Sequence, residues 1–284
     1  MIQLTKRNLK IFFRDKSAVF FSLLAVFIII GLYILFLGDM VSSNSITETD
    51  LRSLMDNWIM AGLLAVTSTT TTLGAFGIMV EDQHKKLIKD FNCSPIKRRD
   101  IVGGYLLSTF IIGIIISIIA LILGQGYIVF SGGDFLNLSQ LMRVLGVLIL
   151  TVLAASSMVS FVVSFFKSNN AFSAASTVVG TLIGFLTGIY IPIGVLPQGV
   201  QTAIKLFPIS HAAALFRQIF TEVRVIEAFV GAPAEVINGF KIQLGIVFEV
   251  GNNIMEPYHH ILVLLATTVI FFALAVWRFN LKKD

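Results

Sequence analysis

Few residues of this chain could act together chemically, and their spacing narrows what they could do. Positions 67–72 carry only hydroxyls, Thr67, Ser68, Thr69, Thr70, Thr71 and Thr72, followed by Gly74 and Gly77. On a helix such hydroxyls either bond back to their own backbone and pack on neighbours, or wall a pathway for polar groups. A second pattern, Ser176, Gly180, Gly184 and Gly188, recurs every four residues. It puts small residues on one stripe, where another helix can approach closely within the chain or across a dimer. Catalytic and metal chemistry find no comparable footing. His259 and His260 are neighbours and so point to different helix faces, while His84 and His211 stand isolated in the sequence. Cys93 is the single cysteine and has no metal-ligand spacing around it. Neither a G-x-x-x-x-G-K-[ST] phosphate loop nor an H-E-x-x-H motif occurs. The chain is therefore expected to hold no cofactor and no metal, and to catalyse nothing by itself.

The elements that must position these residues are apolar runs. With 284 residues, 56% of them hydrophobic, 25 Phe, only 13% charged and a mean hydropathy of +0.89, the chain reads as an all-α integral membrane protein. Six spans are expected, at about 18–38, 57–80, 101–130, 141–166, 171–191 and 261–277, making one transmembrane domain over 1–284. Residues 1–16 precede them and mix Ile2, Leu4, Leu9, Ile11, Phe12 and Phe13 with Lys6, Arg7, Lys10, Arg14 and Lys16. That is the pattern of a basic amphipathic helix lying in the interface, with its cations toward anionic headgroups. The first apolar run is too long for a signal-peptide core and ends in no small-x-small cleavage site, so it reads as a retained span. Although the net charge is +5, the basic residues gather at the ends of apolar runs and form no nucleic-acid-binding face. Placing both termini, the 81–100 loop and the 167–170 turn in the cytoplasm leaves only Arg52, Arg143, Lys205, Arg217, Arg224 and Lys241 outside.

Ionisable residues are almost absent from the six runs. Ion-coupled transporters, voltage sensors and intramembrane acid/base enzymes need such groups at membrane depth. Energy for any uphill transport must therefore enter elsewhere. The candidate is the charged loop Glu81–Asp100, where the acids Glu81 and Asp82 lead into Lys85, Lys86, Leu87, Ile88 and Phe91. The spacing predicts a short helix over 85–91 with Leu87, Ile88 and Phe91 on one side, ended by Pro95. Beyond the fifth span, 192–260 is punctuated by Pro192, Pro197 and Pro208, and 221–257 reads as exposed.

In this order the elements resemble the membrane subunit of an ABC exporter of the second permease type, the family of bacterial drug, polysaccharide and antibiotic exporters, similar also to the eukaryotic G subfamily. The resemblance spans essentially the whole chain. Two local patterns sharpen it: V-E-D-Q, K-L-I-K-D-F and S-P-I-K-R-R-D-I-V-G-G-Y around the loop, and Ile191-Pro192 through Leu196-Pro197 to Phe207-Pro208-Ile209-Ser210 and Arg217 beyond span five. It implies a cytoplasmic coupling helix between spans two and three that docks on a separate ATPase, through Glu81, Lys85, Lys86, Leu87, Ile88, Phe91 and Pro95. It also implies an extracellular re-entrant segment at 192–260 gated around Pro192, Pro197 and Pro208. Thr67, Thr70 and Thr71 of span two and Ser176, Gly180, Gly184 and Gly188 of span five would then line the path or a dimer interface.

The partners implied are ABC ATPase subunits as two copies or a heterodimer, which bind the ATP and Mg, a second permease chain, identical or homologous, and the lipid bilayer. A bacterial plasma membrane is the implied location. Uncharged spans favour an amphipathic or hydrophobic cargo, a drug, lipid or peptide. The competing class is a membrane binding, sensory or immunity subunit that transports nothing, and co-isolation of an ATPase separates the two.

Overall fold

A computed structural model describes residues 1–32, 48–87, 90–91, 96–166, 168–251 and 253–281. Ten labelled helices follow in chain order: α1 (Ile2–Arg14), α2 (Lys16–Leu32), α3 (Glu48–His84), α4 (Arg98–Phe130), α5 (Leu138–Val163), α6 (Asn169–Leu186), α7 (Gln198–Leu206), α8 (Pro208–Ala228), α9 (Ala234–Gln243) and α10 (Pro257–Leu281). A two-stranded antiparallel hairpin, β1 (Glu249–Val250) and β2 (Asn253–Ile254), precedes α10, with Glu249 opposite Ile254.

Four helices among the described residues are long and apolar enough to cross a membrane: Leu51–His84, Arg99–Phe130, Leu138–Val163 and Pro257–Arg278. They coincide with the second, third, fourth and sixth expected runs. The first and fifth runs fall on shorter helices, α2 with 17 residues and α6 with 18. α3 is the axis of the fold. Its most apolar stretch is 78% buried, against 22% for α10, because α3 packs along both α8 and α4 while α10 leans on α5 and α8 at the periphery. At 37 residues it is about 55 Å long, more than a bilayer with its headgroups. It begins at Glu48, so 48–56, which precede the span expected at about 57–80, form its first turns.

Local chemistry explains most helix ends. Asn137 caps α5 in a reciprocal box: its side chain accepts from the Gln140 N–H at 2.8 Å, and Gln140 Oε1 accepts from the Asn137 N–H at 3.1 Å. Pro208 opens α8, where its missing N–H costs nothing. α6 stops at Leu186, short of Pro192, because Gly188 turns left-handed (φ +66°). Gly188 N–H then bonds Phe185 O and Ile189 N–H bonds Gly184 O, satisfying carbonyls that the helix would leave open. α9 ends in the same way at Gly245 (φ +63°), through Gly245 N–H to Ile242 O and Ile246 N–H to Lys241 O.

Within the 192–260 segment, the stretch 221–257 departs from its reading as exposed, and the helix leading into it is mostly buried. α8 has 21 residues, most of them buried against α3, α5 and α10. Within 221–257, Thr221, Val225, Leu244, Ile246 and Phe248 are buried too. The composition conceals this because α8 carries Arg217, Glu222, Arg224 and Glu227 among its apolar residues. His211, isolated in sequence, meets His260 at 2.8 Å between Nδ1 atoms in a buried site against Phe248. Its Nε2–H donates to Lys205 O at 2.9 Å, which leaves a neutral His211 accepting from His260.

Arg217 is fully buried and ties these pieces together. It donates to Gly188 O at 3.0 Å and, over a longer 3.4 Å, to Gly245 O, and its guanidinium lies 4.5 Å from the Trp58 ring centre. The Trp58 indole N–H donates to Leu244 O at 2.7 Å. A Cβ at Gly245 would lie 2.4 Å from Ile193 Cδ1 and 3.3 Å from Arg217 Nη1, whereas one at Gly251, with a similar φ of +65°, would meet nothing within 4 Å. Gly251→Ala should therefore cost only the left-handed penalty of about 1–2 kcal/mol. Gly245→Ala should add overpacking of about 1–3 kcal/mol. Thermal unfolding of the two variants in detergent measures the difference, and equal losses would contradict this packing.

Candidate functional site

Two features meet at the Asp82 end of α3. The first is a polar clamp. Arg7 of α1 holds Asp82 with two hydrogen bonds, Nη1 to Oδ2 at 2.6 Å and Nη2 to Oδ1 at 2.8 Å, and the Tyr105 hydroxyl of α4 donates to the same Oδ2 at 2.6 Å. Arg7 Nη1 also donates to Asn8 Oδ1 at 3.0 Å, Asn8 Nδ2 to Ser108 Oγ at 3.1 Å, and Thr5 Oγ1 to Gly104 O at 3.3 Å. The hydrogen bonds to Asp82 hold the Arg7 guanidinium above its ordinary pKa, partly opposed by burial. A paired, bidentate geometry is what a nearly buried carboxylate requires, since Asp82 is only 4% exposed. The inward face of α1 thus mixes the polar Thr5 and Asn8 with Phe12 and the half-buried Leu4 and Leu9, while Ile2 and Phe13 stay exposed. Alternation of apolar and basic residues hides this, and the sign in the sequence is Asn8 set four residues before Phe12.

The second feature is an open cleft of about 580 Å³ between α1, α2, α3 and α6. Phe12, Phe21 and Phe172 supply apolar walls, Thr70, Ser22 and Ser173 hydroxyls, and Asp15 and Glu81 carboxylates. Gly74 and Gly180 keep it open: a Cβ on either would meet nothing within 4 Å.

The residues singled out in the sequence distribute unevenly over this site. Thr70 and Gly180 line the cleft. The rest of the hydroxyl run turns into the protein: Ser68 donates to Leu64 O at 2.7 Å and pairs with Ser117 at 3.0 Å, Thr69 donates to Ala65 O and Thr72 to Thr69 O. Thr67, Thr71 and Ser176 bury hydroxyls with no partner among the described residues. Gly184 sits under the Tyr190 ring, where a Cβ would come within 2.1 Å, and Gly188 serves the turn described above, so both pack within the chain. Pro192 precedes the 3-10 turn Ile193–Val195, Pro197 caps α7 and Pro208 opens α8.

At the loop, the helix expected over 85–91 does not start at Lys85. Lys85 N–H bonds Glu81 O and Lys86 N–H bonds Gln83 O, with Lys86 left-handed at φ 62°, so 85–86 is the terminal turn of α3. Lys85 also pairs with Glu81 at 2.6 Å, both exposed. Leu87 is half-buried; Phe91 is half-buried against the protein's own apolar cluster, with Arg7 5.6 Å from its ring centre. Ile88 and Pro95 lie outside the described residues.

The model of the family described as ABC-2 family transporter protein matches residues 41–277. The chain belongs to that family. As an ABC-2 membrane protein it is the permease component of an ABC transporter, a multi-pass membrane protein that is not itself catalytic. Among curated proteins no match is found. The permease thus joins its first helix to its axis through one ion pair beside an open cleft. In an Arg7→Met and Asp82→Asn cycle, thermal unfolding should give a coupling of about 1.5–3 kcal/mol, the range for hydrogen bonds to charged groups. Additive losses would mean that the clamp contributes nothing.

Proposed function

We propose that this chain is one permease subunit of an ATP-driven exporter of amphipathic or hydrophobic molecules. It pairs with a second permease chain, identical or homologous, and with two ATPase subunits that bind ATP and Mg. Six spans with both termini in the cytoplasm complete the reading, α2 and α6 serving as the first and fifth. The observation that carries it is the cleft between α3 and α6 in an ABC-2 permease. Its aromatic walls suit an apolar body, and Thr70, Asp15 and Glu81 suit a polar end.

ATPase closure would press on the turn after His84, with Leu87 and Ile88 as the docking side chains. Phe91 instead serves the interior. The push passes to α3 directly, and through Arg7 and Tyr105 to α1 and α4, so that the walls of the cleft move together. A drug, lipid or peptide in the inner leaflet would enter from the side that the cleft leaves open.

Two substitutions test the two halves of this reading. Gly180→Leu should narrow the cleft and lower export by about tenfold, while helix propensity adds up to about 1 kcal/mol of stability. Unchanged export with a correctly folded variant would remove the cleft from the path. Leu87→Ala with Ile88→Ala should abolish co-purification of the ATPase and its permease-dependent turnover. A complex retained at wild-type yield would sink the docking surface.

A further inference from the structure

We propose that the outward face of α1 is a binding site for the phosphate of an anionic phospholipid headgroup, and that this lipid braces the Arg7–Asp82 clamp. The site is a groove of about 400 Å³ lined by Gln3, Lys6, Arg7, Lys10, Ile11 and Arg14. Lys6, Lys10 and Arg14 follow one another at four-residue intervals and Gln3, Arg7 and Ile11 run beside them, so one helix face carries all six. It lies opposite the face that Thr5, Asn8 and Phe12 pack against α4.

Among the described residues, three cations of this groove, Lys6, Lys10 and Arg14, have no anion. Asp15, the one acid between Met1 and Leu32, turns away to accept the Ala18 N–H at 3.1 Å and caps α2. Lys6, Lys10 and Arg14, spread over about two helical turns at four-residue spacing, repel one another unless an anion sits among them. Arg7 reaches the groove while its Nη1 and Nη2 hold Asp82, and a third of its side chain is exposed. An anion there touches the same guanidinium that binds α1 to α3.

The neighbourhood of the groove decides which anion. Ile2 and Phe13 are exposed beside it, and the exposed Phe20, Phe21, Phe27 and Ile28 of α2 continue the apolar surface away from it. In a membrane protein that belt is covered by acyl chains, which places the cations at headgroup level. The ligand is therefore the phosphodiester of an anionic lipid, and not a phosphate free in solution or an acidic surface of the ATPase. This inference rests on the membrane placement of α1 and not on the cargo or on transport.

The test uses the full chain, delipidated in detergent, with native mass spectrometry and thermal unfolding as readouts. Phosphatidylglycerol and phosphatidylcholine of identical chains are titrated separately, alongside inorganic phosphate. Wild-type protein should retain phosphatidylglycerol at least about tenfold better and be stabilised by it, as about fivefold per basic residue implies. Lys6→Gln with Lys10→Gln and Arg14→Gln should lose that preference, while Lys97→Gln with Arg99→Gln, which removes charge near the same end of α3, should keep it. If the triple variant is not monodisperse, Lys10→Gln alone should lose about threefold to fivefold.

Equal retention of both lipids by wild type, or an unchanged preference in the triple variant, overturns the proposal. Equal protection by inorganic phosphate would assign the groove to a soluble anion instead. Loss of ATPase co-purification in the triple variant without any lipid preference in wild type would make the face a protein-docking surface.

Discussion

Arg217 is the constraint on which the half of the fold around α8 turns. A guanidinium buried with no carboxylate partner among the described residues is costly, so every group that compensates it must be in place. The compensation comes from carbonyls of two left-handed turns, Gly188 after α6 and Gly245 after α9, and from the face of Trp58 on α3. A desolvated contact of that kind contributes about 2 kcal/mol. Four separate stretches of chain are positioned by one side chain. Each turn frees the carbonyl that Arg217 needs only because glycine can take the positive φ there.

The opposite end of α3 is held by a different device. There the charge is paired, Arg7 with Asp82, and Tyr105 adds a third bond to the same carboxylate oxygen. Between the two ends the contacts of α3 are mainly apolar side chains and hydroxyls that bond their own helix or Ser117. This helix, 37 residues long, is enclosed along most of its length. Polar groups fix both ends to their neighbours. The cleft lies beside the part of α3 where Gly74 and Gly77 thin its surface.

The absence of acids and bases from the apolar runs takes a different meaning once the fold is seen. α3, α4, α5 and α10 are apolar enough to cross a membrane, and α3, α5 and α10 pack against α8, which carries arginines and glutamates. α8 can then carry Arg217 into the interior and the exposed pairs Arg143–Glu222 and Arg224–Asp134 at its other end. Hydropathy averages over a helix and cannot tell a span from a helix that spans protect.

What the sequence determined by itself was therefore set by solvent. Apolar length and the placement of lysines and arginines are one-dimensional quantities, and they identified a helical membrane protein, its long runs, its basic first helix and, through the loop and proline patterns, its permease family. Helix ends were legible where the cap is local, as at Asn137 and Pro208. Only the tertiary structure decided which hydroxyl of 67–72 faces the cleft, that Gly184 and Gly188 serve packing and a turn within the chain, that Phe91 turns inward, and that His211 meets His260. It also brought Arg7 to Asp82 across 75 positions and Arg217 to Gly188 across 29. These are pairings between distant segments, fixed by how helices pack and where their carbonyls point, and no local pattern of residue types encodes them.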